Sequence, residues 1–134
     1  MRYMLDTNIC IYLIKSHPPQ VLRRLESLTV GSAVMSVVTY AELRAGLETQ
    51  TSHRAQDERV LSLLTQRIPV LPFEAAAAES YGLLRAAVRE HNRNAMDRLI
   101  TAHAFSVGAT LITNNEAGLK GYPGLVVENW AAAA

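Results

Sequence analysis

The chain of 134 residues is the size of one ordinary domain, and with 49% apolar and 19% charged residues it is globular rather than disordered or fibrous. A net charge of +1 excludes the strongly basic surface that by itself announces nucleic-acid binding, although most of the 13 basic residues are Arg, the side chain suited to bidentate phosphate contacts. No apolar run reaches the 18 residues of a membrane span, the amino terminus opens on a strand rather than an export signal, and the single Cys10 cannot form an internal disulfide, so the expectation is a reduced, cytoplasmic protein without membrane association.

Tyr3, Met4 and Leu5 form a short apolar run that reads as a strand buried on both faces, and it stops at Asp6, followed by Thr7 and Asn8. An acid at the carboxyl end of a strand in an open α/β sheet stands where ligands collect; equally, Asp6 or Thr7 can cap the helix that begins near Asn8. That helix carries Ile9, Cys10, Tyr12, Leu13 and Ile14 and ends at Ser16-His17-Pro18-Pro19. A second helix from about Pro19 sets Val21, Leu22, Leu25 and Leu28 on one stripe, and Gly31-Ser32 breaks it. Ala33 to Val38 follows as a second buried strand. It leads into Thr39-Tyr40-Ala41-Glu42, a capping-box pattern that predicts a helix from Thr39 toward Thr49.

From Ser52 a helix with Val60, Leu61 and Leu64 inward reaches Arg67, and Ile68 to Pro72 forms a short third strand. Phe73 to about His91 reads as the longest helix, with Tyr81, Leu84 and Val88 on its core face; His91-Asn92-Arg93-Asn94 breaks it. The next helix opens at Ala95-Met96-Asp97, sets Met96, Leu99, Ile100 and His103 on one side and stops at Gly108. Thr110 to Ile112 is a fourth strand ending at Thr113-Asn114-Asn115-Glu116. A loop from Gly118 to Gly124 then precedes a last strand, Leu125 to Val127, and a tail with Trp130 before the uninformative run from Ala131 to Ala134. Short apolar strands separated by helices imply parallel strands joined by right-handed crossovers, hence one α/β/α sandwich over residues 1–134 with a central, mainly parallel, four- to five-stranded sheet.

On that topology Asp6 lies at the end of strand one, Glu42 just past strand two, Asn114 and Asn115 at the end of strand four, and Asp97 at the start of the helix feeding strand four. All face one rim of the sheet. Each acid has a structural reading: a cap for Asp6, a capping-box partner of Thr39 for Glu42, and a first-turn acid after an N-cap Asn94 for Asp97. Capping alone gives no reason for three acids to meet on one edge. Three carboxylates there repel one another unless a cation sits among them, and oxygen donors without His or Cys suit Mg²⁺ or Mn²⁺. Such an ion activates a bound water and stabilises charge as a phosphodiester is attacked. His103 reads as a packed or surface residue rather than a catalytic one.

With these residues in hand, the whole chain resembles PIN-domain ribonucleases, and closely the VapC toxins of VapBC toxin–antitoxin modules. The resemblance rests on Met4-Leu5-Asp6-Thr7-Asn8, on Ser36-Val37-Val38-Thr39-Tyr40-Ala41-Glu42-Leu43 with Gly46, on Ala95 to Ala104 around Asp97, and on Thr110 to Asn115, in that order and spacing, with a similar Glu128-Asn129-Trp130 ending. It implies a PIN fold and an Mg²⁺-dependent endoribonuclease (Mn²⁺ substituting) with Asp6, Glu42 and Asp97 as the catalytic, metal-binding acids. Thr7, Asn8, Thr113 and Asn115 would be its polar surround. It also implies a homodimer, a VapB-type antitoxin partner whose tail reaches the active site, and an RNA substrate, with the anticodon stem-loop of initiator tRNA as one candidate. Three departures stand out. Asn115 occupies the place of a fourth acid, with Glu116 beside it; the loop from His91 to Asn94 is shorter and lacks the usual glycines; and Arg98 follows Asp97 where an apolar residue is usual, as a phosphate contact, an antitoxin contact or plain surface. The competing function is a PIN-fold module that binds RNA or protein without cutting it. A small-ester phosphatase is disfavoured because Asn8, not a second Asp, stands two residues after Asp6.

Overall fold

The structure is a computed structural model, and it describes residues 1–49, 52–87, 95–116, 119 and 122–132. Five strands form one sheet in the order β3-β2-β1-β4-β5, every neighbouring pair parallel. They are β1 (Tyr3–Leu5), β2 (Ala33–Ser36), β3 (Val70–Leu71), β4 (Thr110–Ile112) and β5 (Val127–Glu128). Helices α1 (Thr7–Lys15) and α2 (Pro19–Glu26) join β1 to β2, α3 (Val37–Thr49) and α4 (Arg54–Arg67) join β2 to β3, and α5 (Ala75–Ala87) and α6 (Ala95–Ser106) join β3 to β4.

The period of two along each strand divides the core. Leu5, Ala33, Met35 and Ile112 point to one face, where Ile9, Cys10, Val21, Leu25, Leu43 and Leu61 from α1 to α4 cover them. Met4, Val34 and Leu111 point to the other face, against Leu84 of α5 and Ile100, Ala102 and Ala104 of α6. Leu5, Ile9, Met35 and Ile112 are fully buried, and truncating any one of them to Ala costs about 2–5 kcal/mol.

From β1 the chain steps outward to β2 and β3 with its helices on one face, then returns to the far side of β1 for β4 with its helices on the opposite face. The strand order therefore reverses between β1 and β4, and such a reversal opens a crevice outside the carboxyl ends of those two strands. Asp6 and Thr113 are the first residues past those ends, and the Asp6 amide donates to the Ile112 carbonyl at 3.0 Å, which ties the two lips together.

Several boundaries differ from expectation. β2 stops at Ser36, whose Oγ accepts the Val38 amide at 3.0 Å, so α3 opens at Val37 with no intervening loop. The predicted capping box is thus absent: Thr39 lies buried inside the first turn of α3 and Glu42 in its second. The β-branched Val37 and Val38 suggested a longer strand, but a side-chain cap overrode that propensity. Met96 is exposed rather than packed. β5 comprises Val127–Glu128, two residues later than its apolar run, with Val126 turned outward. Ala131 is held, its carbonyl taking the Gln20 amide at 3.0 Å and its own amide donating to Asn129 at 2.8 Å. The expectations for Val88, the loop from His91 to Asn94 and the glycines 118 and 121 lie outside the described residues. Among the described residues no helix is long and apolar enough to cross a membrane.

Candidate active site

Asp6 takes the capping role that the sequence offered, at the carboxyl end of β1. As N-cap of α1 it accepts the Ile9 amide on Oδ1 at 3.0 Å, and the bond pins its half-buried carboxylate over the β1–β4 crevice. Its negative charge adds to complete burial in pushing the Cys10 thiol far above its ordinary range, so Cys10 is a neutral core side chain and no nucleophile.

Thr7, in the first turn of α1, reaches across to α3. Its hydroxyl donates to Glu42 Oε1 at 2.5 Å, with the buried Thr39 hydroxyl 3.5 Å away. A hydroxyl carries one proton, so the short bond to Glu42 takes it and Thr39 lines the contact. Glu42 is therefore oriented from β1's end of the rim. The sequence reading did not single out Thr39 as part of this contact; the cue available was a polar residue on the otherwise apolar face that also bears Leu43 and Leu47.

On the other lip Thr113 is buried, its amide donating to the Glu128 carbonyl at 3.0 Å and its Oγ1 accepting the Asn115 amide at 3.2 Å. That local bond turns the chain away from β4. Asn115 itself is exposed, as are Asn8 and Glu116. It is Asn114 that bridges to α1, donating to the Tyr12 hydroxyl at 2.8 Å. Asp97 lies half-buried in the first turn of α6, and its carbonyl accepts the Thr101 hydroxyl at 2.8 Å. Because α6 feeds β4 in a parallel connection, its first turn stands at the edge where the strands end. Arg98, the next residue, is engaged toward α5. Hydrogen bonding from Arg98 holds the pKa of the Tyr81 phenol below its ordinary value, burial opposes this, and the charges of Arg98 and Arg85 add to the lowering.

Beside Glu42 a cleft of about 430 Å³ runs between α1, α3 and α4, lined by Ile14, Lys15, Glu42, Gly46, Asp57 and Leu61. It is mostly apolar, with Glu42 at its wall.

The PIN domain family matches residues 3–124. A ribonuclease VapC2 of Rickettsia felis is 35% identical, over 97% of this chain and 98% of that protein. The chain belongs to the PIN-domain family, in its VapC branch. A tRNA(fMet)-specific endonuclease VapC of Shigella flexneri is 36% identical over 98% of this chain and 99% of its own length. The crystal structure of VapBC2 from Rickettsia felis bound to a DNA fragment from their promoter is similar with a TM-score of 0.88 and 34% identity, covering 97% of this chain and 99% of that one. VapBC-1 from nontypeable Haemophilus influenzae gives 0.85 and 34%, over 98% and 100%.

PIN-domain ribonucleases depend on a divalent metal, and the chemistry of the rim can be tested against that. Among the described residues no three His, Cys, Asp or Glu side chains stand as a ready-made metal cluster. The donors the rim does present are carboxylates backed by threonine hydroxyls. Such donors match a hard ion that binds through one or two carboxylates and keeps several of its waters, rather than one held in an all-protein cage.

Proposed function

We propose that this PIN domain is the toxin of a VapBC-type pair, an Mg²⁺-dependent endoribonuclease that hydrolyses a phosphodiester bond in RNA and so inhibits translation. The observation that carries the reading is the reversal of strand order between β1 and β4, which opens a crevice where Asp6 and Thr113 stand, with the Thr7–Glu42 bond beside it. Asp6 and Asp97 are the proposed ligands of the ion, which when bound would supply charge neutralisation and a more acidic water. The remaining work falls to the protein's own groups. The Ile9 amide holds Asp6 in place through Oδ1, and Thr7 occupies Oε1 of Glu42, which leaves Oε2 to orient the attacking water and accept its proton. Thr113, with Asn115 on its hydroxyl, shapes the far lip, and Asn8 lies exposed beside Asp6. Arg98, beside Asp97, is the proposed phosphate contact. The names of two relatives, tRNA(fMet)-specific endonucleases of Shigella flexneri and Salmonella typhimurium, make initiator tRNA the substrate to try first.

The proposed partner is a VapB-type antitoxin, and the apolar cleft that ends at Glu42 supports it, because a peptide seated there would reach the catalytic rim. The toxin itself is proposed to be a homodimer.

End-mapping of total cellular RNA after incubation with purified protein tests the reading, in Mg²⁺, in EDTA, and beside Asp6→Asn. Discrete cuts that need Mg²⁺ and vanish in the variant are expected, and their position names the substrate. Cuts that persist in EDTA and in Asp6→Asn would overturn the assignment.

A further inference from the structure

Away from the acids, one buried polar contact joins elements that the sequence keeps 67 residues apart. His103, 1% exposed, sits in the last turn of α6 with Nδ1 2.7 Å from Oγ of Ser36, a fully buried residue at the end of β2. The ring is wedged edge-on by Phe73, with centroids 5.4 Å apart at 74°, and makes a second hydrogen bond to the backbone of Pro72. Proline has no N–H, so that backbone group is a carbonyl and the imidazole donates to it. With Nδ1 at Ser36, the donated proton is on Nε2, and Nδ1 accepts the Ser36 hydroxyl. Ser36 Oγ in turn accepts the Val38 amide at 3.0 Å. An unbroken chain therefore runs from the first turn of α3, through the end of β2 and the last turn of α6, to the segment before α5, with each proton assigned and the ring neutral.

We infer that Ser36 and His103 form a positioning bridge that sets the two acid-bearing helices at the rim, so that binding of the divalent ion depends on it. The inference rests on the nuclease reading above. Glu42 is four residues past Val38, on the same face of α3. Asp97 is six residues before His103, about 9 Å along α6. A helix is stiff over that distance, so a shift of α6 at His103 reappears at Asp97. A small octahedral ion tolerates little such displacement. An apolar side chain of similar size would fill the same space without fixing the direction of either helix, and burying an imidazole is unfavourable unless both nitrogens are partnered.

The test uses the full chain with His103→Leu, which removes both bonds; His103→Asn, which keeps an acceptor near the place of Nδ1; and Ser36→Ala. Mn²⁺ binding is followed by EPR without RNA, amide exchange is followed residue by residue, and cleavage is measured alongside. Loss of a group that orients a metal ligand typically costs 10–100-fold in metal affinity. His103→Leu and Ser36→Ala are expected to raise the Mn²⁺ half-saturation concentration by about tenfold or more, and to speed exchange selectively at residues 41–44 and 99–102; His103→Asn should stay within about threefold of wild type. Equal losses in His103→Leu and His103→Asn, or exchange that rises evenly through the sheet, would reduce the contact to packing and overturn the inference. A wild-type chain that neither bound Mn²⁺ nor cut RNA would instead sink the nuclease reading, while exchange localised to those two segments in His103→Leu alone would still establish the bridge.

Discussion

Helix α3 carries two acids, Glu42 and Glu48, whose surroundings are opposite. Glu48 faces α4 at the outer surface, paired with Arg54 at 2.5 Å and Arg44 at 3.7 Å, while Glu58 of α4 pairs with the same two arginines. Those guanidiniums hold the Glu48 and Glu58 carboxyls below the usual carboxylate range, chiefly through hydrogen bonding, which burial opposes and the charges of the arginines reinforce. Glu42, less than two turns away on the same helix, receives a neutral hydroxyl from Thr7 instead. A carboxylate whose partners are arginines is already neutralised and does structural work. A carboxylate oriented by a neutral hydroxyl is not neutralised in that way, and in the function proposed above it serves a rim shared with Asp6 and Asp97.

The most direct way to break this contrast is Asp6→Asn. The amide oxygen preserves the cap on the Ile9 amide, so the fold should survive with its Tm nearly unchanged, while cleavage falls at least about a hundredfold because a charged ligand becomes neutral. Asp6→Ala should also lose cleavage but cost about 1 kcal/mol more in stability, since the cap goes too. Equal activity of Asp6→Asn and wild type in an Mg²⁺-dependent assay would end the metal-ligand reading. Next comes a matched pair on α3. Glu42→Gln keeps a group for the Thr7 hydroxyl to bond and is expected to slow cleavage by about 10- to 100-fold, whereas Glu48→Gln should leave it unchanged. Matching losses in the two variants would mean that company does not distinguish these acids.

Much of this contrast was legible in the residues alone. Tyr3-Met4-Leu5 ending at Asp6, and Thr110-Leu111-Ile112 ending at Thr113, are short apolar runs closed by small polar groups, and those local patterns survive folding because both strands are buried on both faces. The start of α3 was not legible: Val37 and Val38 favour a strand, and only the Ser36 cap, itself held by His103 from 67 residues away, turns them into a helix. The same distance hid the bridge. His103 reads as one more residue on a packed helix face until β2 is placed beside it. Asn114 against Tyr12 was hidden likewise, because neighbouring asparagines in a turn differ only in the direction their side chains take.

A smaller effect sharpens the boundary between the rim and the outer face. Gly46 lies one turn beyond Glu42 in the cleft wall, and a Cβ built there meets no atom within 4 Å. Gly46→Leu is therefore expected to raise stability by about 0.5–1 kcal/mol through helix propensity and to leave cleavage by the free protein intact. It should weaken antitoxin binding about tenfold by filling the cleft. Calorimetric titration with the cognate antitoxin measures this, and unchanged affinity would move the partner off the cleft.

The smallest effect belongs to the outer quartet, and its direction with pH is fixed by the shifts already described. The Glu48 and Glu58 carboxyls are held below their unfolded value, so they favour the folded state at every pH above that value, and the contribution disappears as pH falls through the lowered range. All four side chains are substantially in water, where ion pairs are screened and contribute little. Arg54→Gln should accordingly move Tm only slightly at neutral pH and low salt, and by still less once salt is raised or the pH is taken below the carboxylate range, with cleavage unaffected throughout. A large Tm loss in that variant that salt did not diminish would show the quartet to be part of the core linkage between α3 and α4. Glu42 and Glu48 would then differ in degree of burial rather than in the company they keep.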